Sequence, residues 1–273
     1  MLKNYRALGW VGALLMLALA SFTPGGPPLT RLAHPAFTPP PALAAQASPP
    51  PALMEPLALQ ILKSMSDTLK RSTSFTFMAV TIRDVPAITG QSLEFYARNS
   101  VAVTRPNKLL VHHQGDIVDG SIWYDGQRLS LLDSLTKFYA RVTAPATIDG
   151  VLDLLENKFH EPLPVAAVLY ADPYARLTKG LKTAFVVGDT SVDGVRAHHL
   201  AFTEAQADWQ IWVQDTPRPV PTRLVVNYKN VPRIGSLRVA VDFANWNLNA
   251  QLPAASYLFV IPPGGKQIPI KAR

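Results

Sequence analysis

The sequence predicts an α+β protein that is mainly β, built on a single strongly curved antiparallel sheet with helices covering its concave face. Three observations predict it. Runs in which bulky and polar residues alternate come in two blocks of about five or six each, the pattern of strands with one dry and one wet face. Two stretches with helical spacing stand apart, one ahead of the first block and one between the blocks. Asp125-Gly126 and Asp193-Gly194 each separate neighbouring runs, a signal of tight hairpins between antiparallel strands.

The N-terminus is read separately from the fold. Lys3 and Arg6 precede an uncharged apolar stretch from Ala7 to Phe22, the pattern of an export signal, so residues 1–22 are expected to act as a signal or signal anchor. The apolar stretch is short for crossing a hydrocarbon core of about 30 Å, which favours cleavage over anchoring. Eleven of the 25 prolines lie before residue 57, and residues 23–56 read as a Pro-rich linker. One domain remains, over residues 57–268, followed by a short tail at 269–273. With no cysteine there is neither an acylation site nor a disulfide framework, so an exported chain has to rely on core burial.

The first helix is expected in "PLALQILKSMSDTLKRST", where Ala58, Ile61, Leu62, Met65 and Leu69 share a stripe and Lys63, Asp67 and Lys70 face away. Strands follow in "SFTFMAVTIRDV", "QSLEFYARNSVAVTRP", "KLLVHHQG", the two arms of "SIWYDGQRLSLLD", and "KFYARV". "TIDGVLDLLENKF" returns to helical spacing with Ile148, Val151, Leu152 and Leu155 on one side. Its acids Asp149, Asp153 and Glu156 lie opposite and read as a solvated face without chemistry. Short helical pieces continue to a break at Asp172-Pro173. The second block of strands is "KTAFVVGDTSVDG", two strands within "AHHLAFTEAQADWQIWVQD", then "PTRLVVNYKN", "SLRVAVDFANWNL" and "ASYLFVIPPGG". In "SLRVAVDFANW" the alternate set Leu237, Val239, Val241 and Phe243 is wholly apolar while Arg238 and Asp242 point the other way.

Chemistry is sparse. No zinc-protease, serine-hydrolase, Walker or dinucleotide motif occurs, and the absence of cysteine excludes a thiol nucleophile. His112-His113 and His198-His199 suggest a metal, but adjacent strand residues point to opposite faces, so neither pair converges on one ion. No metal, cofactor or catalytic residue is expected; the lesser alternative is an exported hydrolase or metalloenzyme with a composite site of one histidine from each pair and a carboxylate. Trp209 shares a face with Ile211 and Val213, whereas Trp212 shares the other with Gln210 and Gln214. The net charge is +7, with residues 1–47 contributing three basic residues and no acid, which leaves 23 basic against 19 acidic residues spread over the remainder. That pattern lacks the basic stripe of a nucleic-acid binder and is compatible with approach to an anionic lipid surface.

The stretches "RPNKLLV", "WYDGQRLSLLD", "KFYARVTAPATIDGVLDLL", "LYADPYARL", "VDGVRAHHLAF", "DWQIWVQD", "RPVPTRLVVNYK" and "LPAASYLFVIPPGG" resemble, in that order, a bacterial family of predicted periplasmic proteins. The resemblance spans roughly Leu57 to Ile268. That family is in turn similar to the LolA/LolB lipoprotein carriers, which implies an unclosed half-barrel of about eleven strands with helices plugging an apolar mouth. It implies a fold and a periplasmic location, and carries no functional residue onto these positions.

By analogy of fold, the expected function is non-enzymatic: carriage or sensing of a lipid, a lipoprotein acyl group or another apolar ligand. The alternative is an envelope scaffold that binds protein partners and fills its interior with its own side chains. The expected ligand lining on the concave face is Phe75, Phe77, Leu93, Phe95, Trp209, Ile211, Leu237, Val239, Val241 and Phe243, the apolar alternating sets of their strands. Neither oligomeric state nor ligand identity follows from these residues.

Overall fold

A computed structural model describes residues 54–87, 89–159, 164–231 and 235–269. The export signal and nearly all of the Pro-rich linker lie outside them. Helix α1 (Pro56–Arg71) leads into β1 (Ser74–Pro86), β2 (Ser92–Thr104), β3 (Lys108–Gly115), β4 (Asp119–Tyr124), β5 (Arg128–Asp133) and β6 (Phe138–Thr143). Helix α2 (Ile148–Phe159), a 3-10 turn (Pro164–Val168) and α3 (Pro173–Leu177) form a helical insertion. Strands β7 (Thr183–Val192), β8 (Val195–Thr203), β9 (Ala207–Gln214), β10 (Pro221–Val231) and β11 (Gly235–Asn247) follow, then a 3-10 turn (Ala254–Tyr257) and β12 (Lys266–Gln267).

All the strands belong to one unclosed sheet, in the order β12-β6-β5-β4-β3-β2-β1-β11-β10-β9-β8-β7. Two antiparallel meanders, β1 to β6 and β7 to β11, are joined by the pairing of β1 with β11. Among the described residues the sheet thus has twelve strands, and one pair departs from the expected antiparallel pattern: β12 runs parallel to β6 over two residues. Local chemistry explains the hairpins. Asp193 and Gly194 both take positive φ, 50° and 79°, the geometry of a two-residue turn whose twist matches the flanking strands. At the other hairpin, Asp125 Oδ1 accepts from the Gln127 and Arg128 N–H groups, and a Cβ on Gly126 would stand 2.7 Å from Asn107 Nδ2.

Ala58, Leu62, Met65 and Leu69 of α1 are fully buried, joining one core with Ile148, Val151, Leu152 and Leu155 of α2 and the inner strand faces. Helix α1 lies against β7 and β9, and the Pro164–Val168 turn against β11, which covers the concave side. Burying each large aliphatic side chain in this way contributes about 1.5–3 kcal/mol. Pro56 opens α1 at a position whose N–H has no helical partner in any case. Glu55 does not cap the helix. Its N–H instead donates to Ala184 O (2.8 Å) and its Oε2 accepts from Val186 N (2.9 Å), so the last residues of the expected linker are held along the β7 edge.

One expected strand is absent. "ASYLFVIPPGG" forms the 3-10 turn and then an extended arm across the convex face, with Tyr257 donating or accepting at Thr104 Oγ1 (2.8 Å) and Phe259 packed against Trp123 and Tyr139. Its alternation reflects packing on a sheet's outer face rather than pairing within the sheet; only Lys266 and Gln267 join a ladder.

Candidate functional site on the concave face

Strand register places the inward side chains in rows that cross the sheet. One row runs Ala184, Phe202, Trp209, Val226, Val239, Arg83, Phe95, and the next runs Val186, Leu200, Ile211, Leu224, Val241, Thr81, Ala97, Gly115. Farther along, Phe77 pairs with Val101, and Phe75 with Val103. Phe75, Phe77, Trp209, Ile211, Leu237, Val239, Val241 and Phe243 are all buried in the core beneath the helices. Phe77 stacks on Trp246 (centroids 4.4 Å apart), and Trp209 stacks on Phe202 (4.0 Å) while donating from Nε1 to Glu204 Oε1 (2.9 Å). Phe95 is half-buried at the margin of this core.

Leu93 does not belong with them. It pairs with Val85 at the start of β2, whereas β3 already stops at Gly115 opposite Ala97, so no strand flanks it on that side and it is 38% exposed. Alternation sets its face correctly and says nothing of whether anything covers that face.

Beside Phe95 the concave face becomes polar and small. Asn99 Nδ2 donates to Ala79 O (3.3 Å) and Thr81 Oγ1 (3.4 Å), which fixes the amide orientation and turns Oδ1 toward His113 Nδ1 (2.8 Å). Because Oδ1 only accepts, the imidazole proton sits on Nδ1, and in the neutral ring Nε2 is the acceptor. Burial, aided by the Arg83 charge and opposed by Asp119, pushes the His113 pKa down to about 4, so the ring is neutral near pH 7. A Cβ on Gly115 would lie 3.0 Å from Ala97 Cβ and 3.1 Å from His113 Nε2, so glycine makes room for the ring. Arg83, Phe95, Ala97, His113 and Gly115 are half-buried, so this part of the face is accessible. Nothing in the motifs marked this patch. The period-two phase of β1 to β3 would have placed Thr81, Asn99 and His113 on one face, had it been read for polar as well as apolar residues.

The insertion is tied down by the acids that the sequence reading left to solvent. Asp149 Oδ1 accepts from Ala171 N (2.9 Å), Asp153 Oδ1 from the Tyr170 hydroxyl (2.9 Å), and Glu156 Oε1 from Arg176 Nη2 (2.6 Å). Helical spacing turns them away from α2's apolar stripe, and the next stretch of chain folds back over that side to meet them. From the sheet, Arg105 donates to Leu169 O (2.9 Å) and Tyr170 O (2.8 Å), and its own burial lowers its pKa against the opposing charge of Asp149. Asp172 caps α3 through Ala175 N (3.0 Å) and pairs with Lys70 of α1 (2.7 Å). Burial raises the pKa of Glu204, with Trp209 and Arg176 opposing, and raises that of the Tyr228 hydroxyl, which also senses Arg83, Glu156, Arg176 and Glu204.

The histidine pairs divide between opposite faces of the sheet. His112 Nδ1 meets Ser121 Oγ (2.8 Å), away from His113. His199 stacks on Trp212 (4.0 Å) and its Nε2 meets Gln210 Oε1 (2.9 Å), whereas His198 Nδ1 meets Asp189 Oδ1 (2.6 Å) and its Nε2 lies 3.6 Å from Asp215 Oδ1. Arg223 covers the Trp212 ring at 5.8 Å, so that tryptophan is sandwiched on the convex side. Among the described residues, no group of three or more His, Cys, Asp or Glu is arranged to hold a metal.

A family model described as "Predicted periplasmic protein (DUF2092)" matches residues 58–271, most of the chain. The chain belongs to that family. No curated protein sequence matches it significantly. Its structural neighbours include an uncharacterized conserved protein from Thermus thermophilus, at 10% identity over 78% of this chain and 99% of that one, TM-score 0.46. Lipoprotein LppX from Mycobacterium tuberculosis aligns at 14% identity over 73% of this chain and 100% of that one, TM-score 0.42. A LolA superfamily protein from Nitrosomonas europaea aligns at 14% identity over 74% and 97%, TM-score 0.34.

Proposed function

We propose that the protein is an exported, non-enzymatic binding protein whose concave face takes the apolar part of a ligand such as a lipid or a lipoprotein acyl group. The observation that carries this reading is the change of character along that face. Continuous apolar rows under the helices run out, without a break in the sheet, into a half-buried margin where Phe95 and Ala97 stand beside Arg83 and His113. An acyl chain that slides along the rows would exchange water for apolar contact at about 0.8 kcal/mol per methylene, before the costs of association. Its polar end would stay among groups able to hydrogen-bond. Export follows from the N-terminal signal pattern, with that segment either removed or kept as an inner-membrane anchor.

The burial of Trp209, Ile211, Val239, Val241 and Phe243 favours a second reading, in which the interior is filled by its own side chains and the protein is a scaffold for other envelope proteins. Titration of the folded protein with a fluorescent fatty acid separates the two. Saturable binding near one probe per chain, weakened by Phe95→Asp, supports the carrier. A flat titration at micromolar probe supports the scaffold.

A further inference from the structure

The C-terminal arm presents an apolar surface that the fold itself leaves uncovered. Between Tyr257 and Val260 the chain is extended over the convex face, and its side chains alternate. Tyr257 and Phe259 turn toward the sheet, Phe259 lying between Trp123 and Tyr139 with Arg141 over its ring at 5.6 Å. Leu258, Val260 and Ile261 turn to solvent and are 53%, 79% and 50% exposed. The arm then pairs with β6, where Lys266 N donates to Lys137 O (3.1 Å), bringing its end beside the β5–β6 turn and Leu135, itself 61% exposed. Isolated exposed aliphatics need no explanation, but several side by side on one arm and its adjoining turn form a patch.

Exposed basic residues flank the patch. Lys137 and Lys266 are exposed at its end. The acid of the turn, Asp133, is buried and directed inward, where Oδ1 accepts from Leu135 N (2.7 Å) and Thr136 N (2.9 Å). Beyond Asp242 the sequence has no Asp or Glu, while Lys266, Lys271 and Arg273 follow. Apolar side chains flanked by lysines suit the boundary of an anionic bilayer, where the aliphatics enter the acyl region and the ammonium groups meet lipid phosphates. We propose that the arm, through Leu258, Val260 and Ile261 with Lys137 and Lys266, docks the protein onto an anionic lipid surface. This is independent of what the concave face holds.

The absence of cysteine gives a direct test, because one introduced thiol can carry one environment-sensitive dye on the full-length chain. Val260→Cys reports on the arm, and Lys63→Cys, on the exposed side of α1, reports on another face. Vesicles of phosphatidylcholine mixed with phosphatidylglycerol should shift the dye at 260 to the blue, whereas vesicles of phosphatidylcholine alone should do so much less. The dye at 63 should barely respond. Adding Lys137→Gln and Lys266→Gln should demand roughly thirtyfold more lipid for the same shift, given about 1 kcal/mol per basic residue at such a surface. The N-terminal apolar segment can tether the chain to vesicles in every variant, but tethering alone moves neither dye preferentially. An unchanged dye at 260, or equal shifts at 260 and 63, would overturn the proposal. So would a blue shift at 260 that grows with protein concentration without lipid, which would assign the arm to a second copy of the chain.

Discussion

Protonation of His113 should make the fold lose stability in mild acid. In the folded state burial and Arg83 hold its pKa at about 4, whereas the unfolded side chain titrates near the ordinary 6.5. Between these values the unfolded chain binds the proton more readily, so stability falls as pH falls. The contribution is fully present above about pH 6.5 and is lost on the way down to about pH 4. A difference of about 2.5 units at 1.36 kcal/mol each sets the scale, giving a loss of about 2 kcal/mol by pH 5 and about 3 kcal/mol by pH 4. His113→Gln keeps an amide able to donate to Asn99 Oδ1 and removes the titration. Urea unfolding followed by tryptophan fluorescence, at several pH values for both proteins, isolates the effect as the difference between two slopes. Other groups cancel in that difference: the lowered carboxylates Asp125 and Asp172 lose their stabilisation only at lower pH, and Glu204, whose pKa is raised, works in the opposite direction. Parallel pH profiles for the wild type and His113→Gln would refute the placement of a neutral, desolvated imidazole against Asn99.

Three further outcomes are expected. Leu62→Ala, at a fully buried position on the inner stripe of α1, should cost about 2–5 kcal/mol in chemical denaturation, while Lys63→Glu on the opposite side, which loses one exposed pair with Asp67 and sets two acids four residues apart, should cost no more than about 1 kcal/mol. Arg105→Met removes two hydrogen bonds to Leu169 O and Tyr170 O, and a loss of about 2–3 kcal/mol with faster proteolysis in the helical insertion is expected; unchanged proteolysis would count against Arg105 as its tie to the sheet. Val241→Asp puts an unpaired carboxylate at a fully buried site and should unfold the domain by circular dichroism, whereas Phe95→Asp at the half-buried margin should leave a cooperative melt and weaken binding of a fatty-acyl probe.

Much of the architecture is local and therefore readable along the chain. Alternation in β1, β9 and β11 names the inward residues because successive side chains must point to opposite faces. The stripe of Leu62, Met65 and Leu69 and the Asp-Gly turns follow equally from local geometry. The motif order extends this to the family, matched by the model over 58–271.

What escaped the reading depends on residues far apart in the chain. The two meanders form one sheet only because β1 pairs with β11, more than a hundred residues later, and no period within either strand encodes that partner. Trp246 shows the same dependence. Parity counted from Phe243 sends it outward, but a bulge with Asn245 at φ 56° returns it to the inner face, where it stacks on Phe77. Leu93 has the right phase and no cover, and the acids of α2 have the solvent side of their own helix yet meet the chain that folds over it. The arm from Tyr257 alternates like a strand and packs on a face instead. A side chain's direction is set by its own backbone and its neighbours, so the sequence alone determined the faces, the turns and the helical stripes. Which faces are covered, which strands meet and which polar groups are brought together required the tertiary structure, because burial is conferred by whatever packs on top.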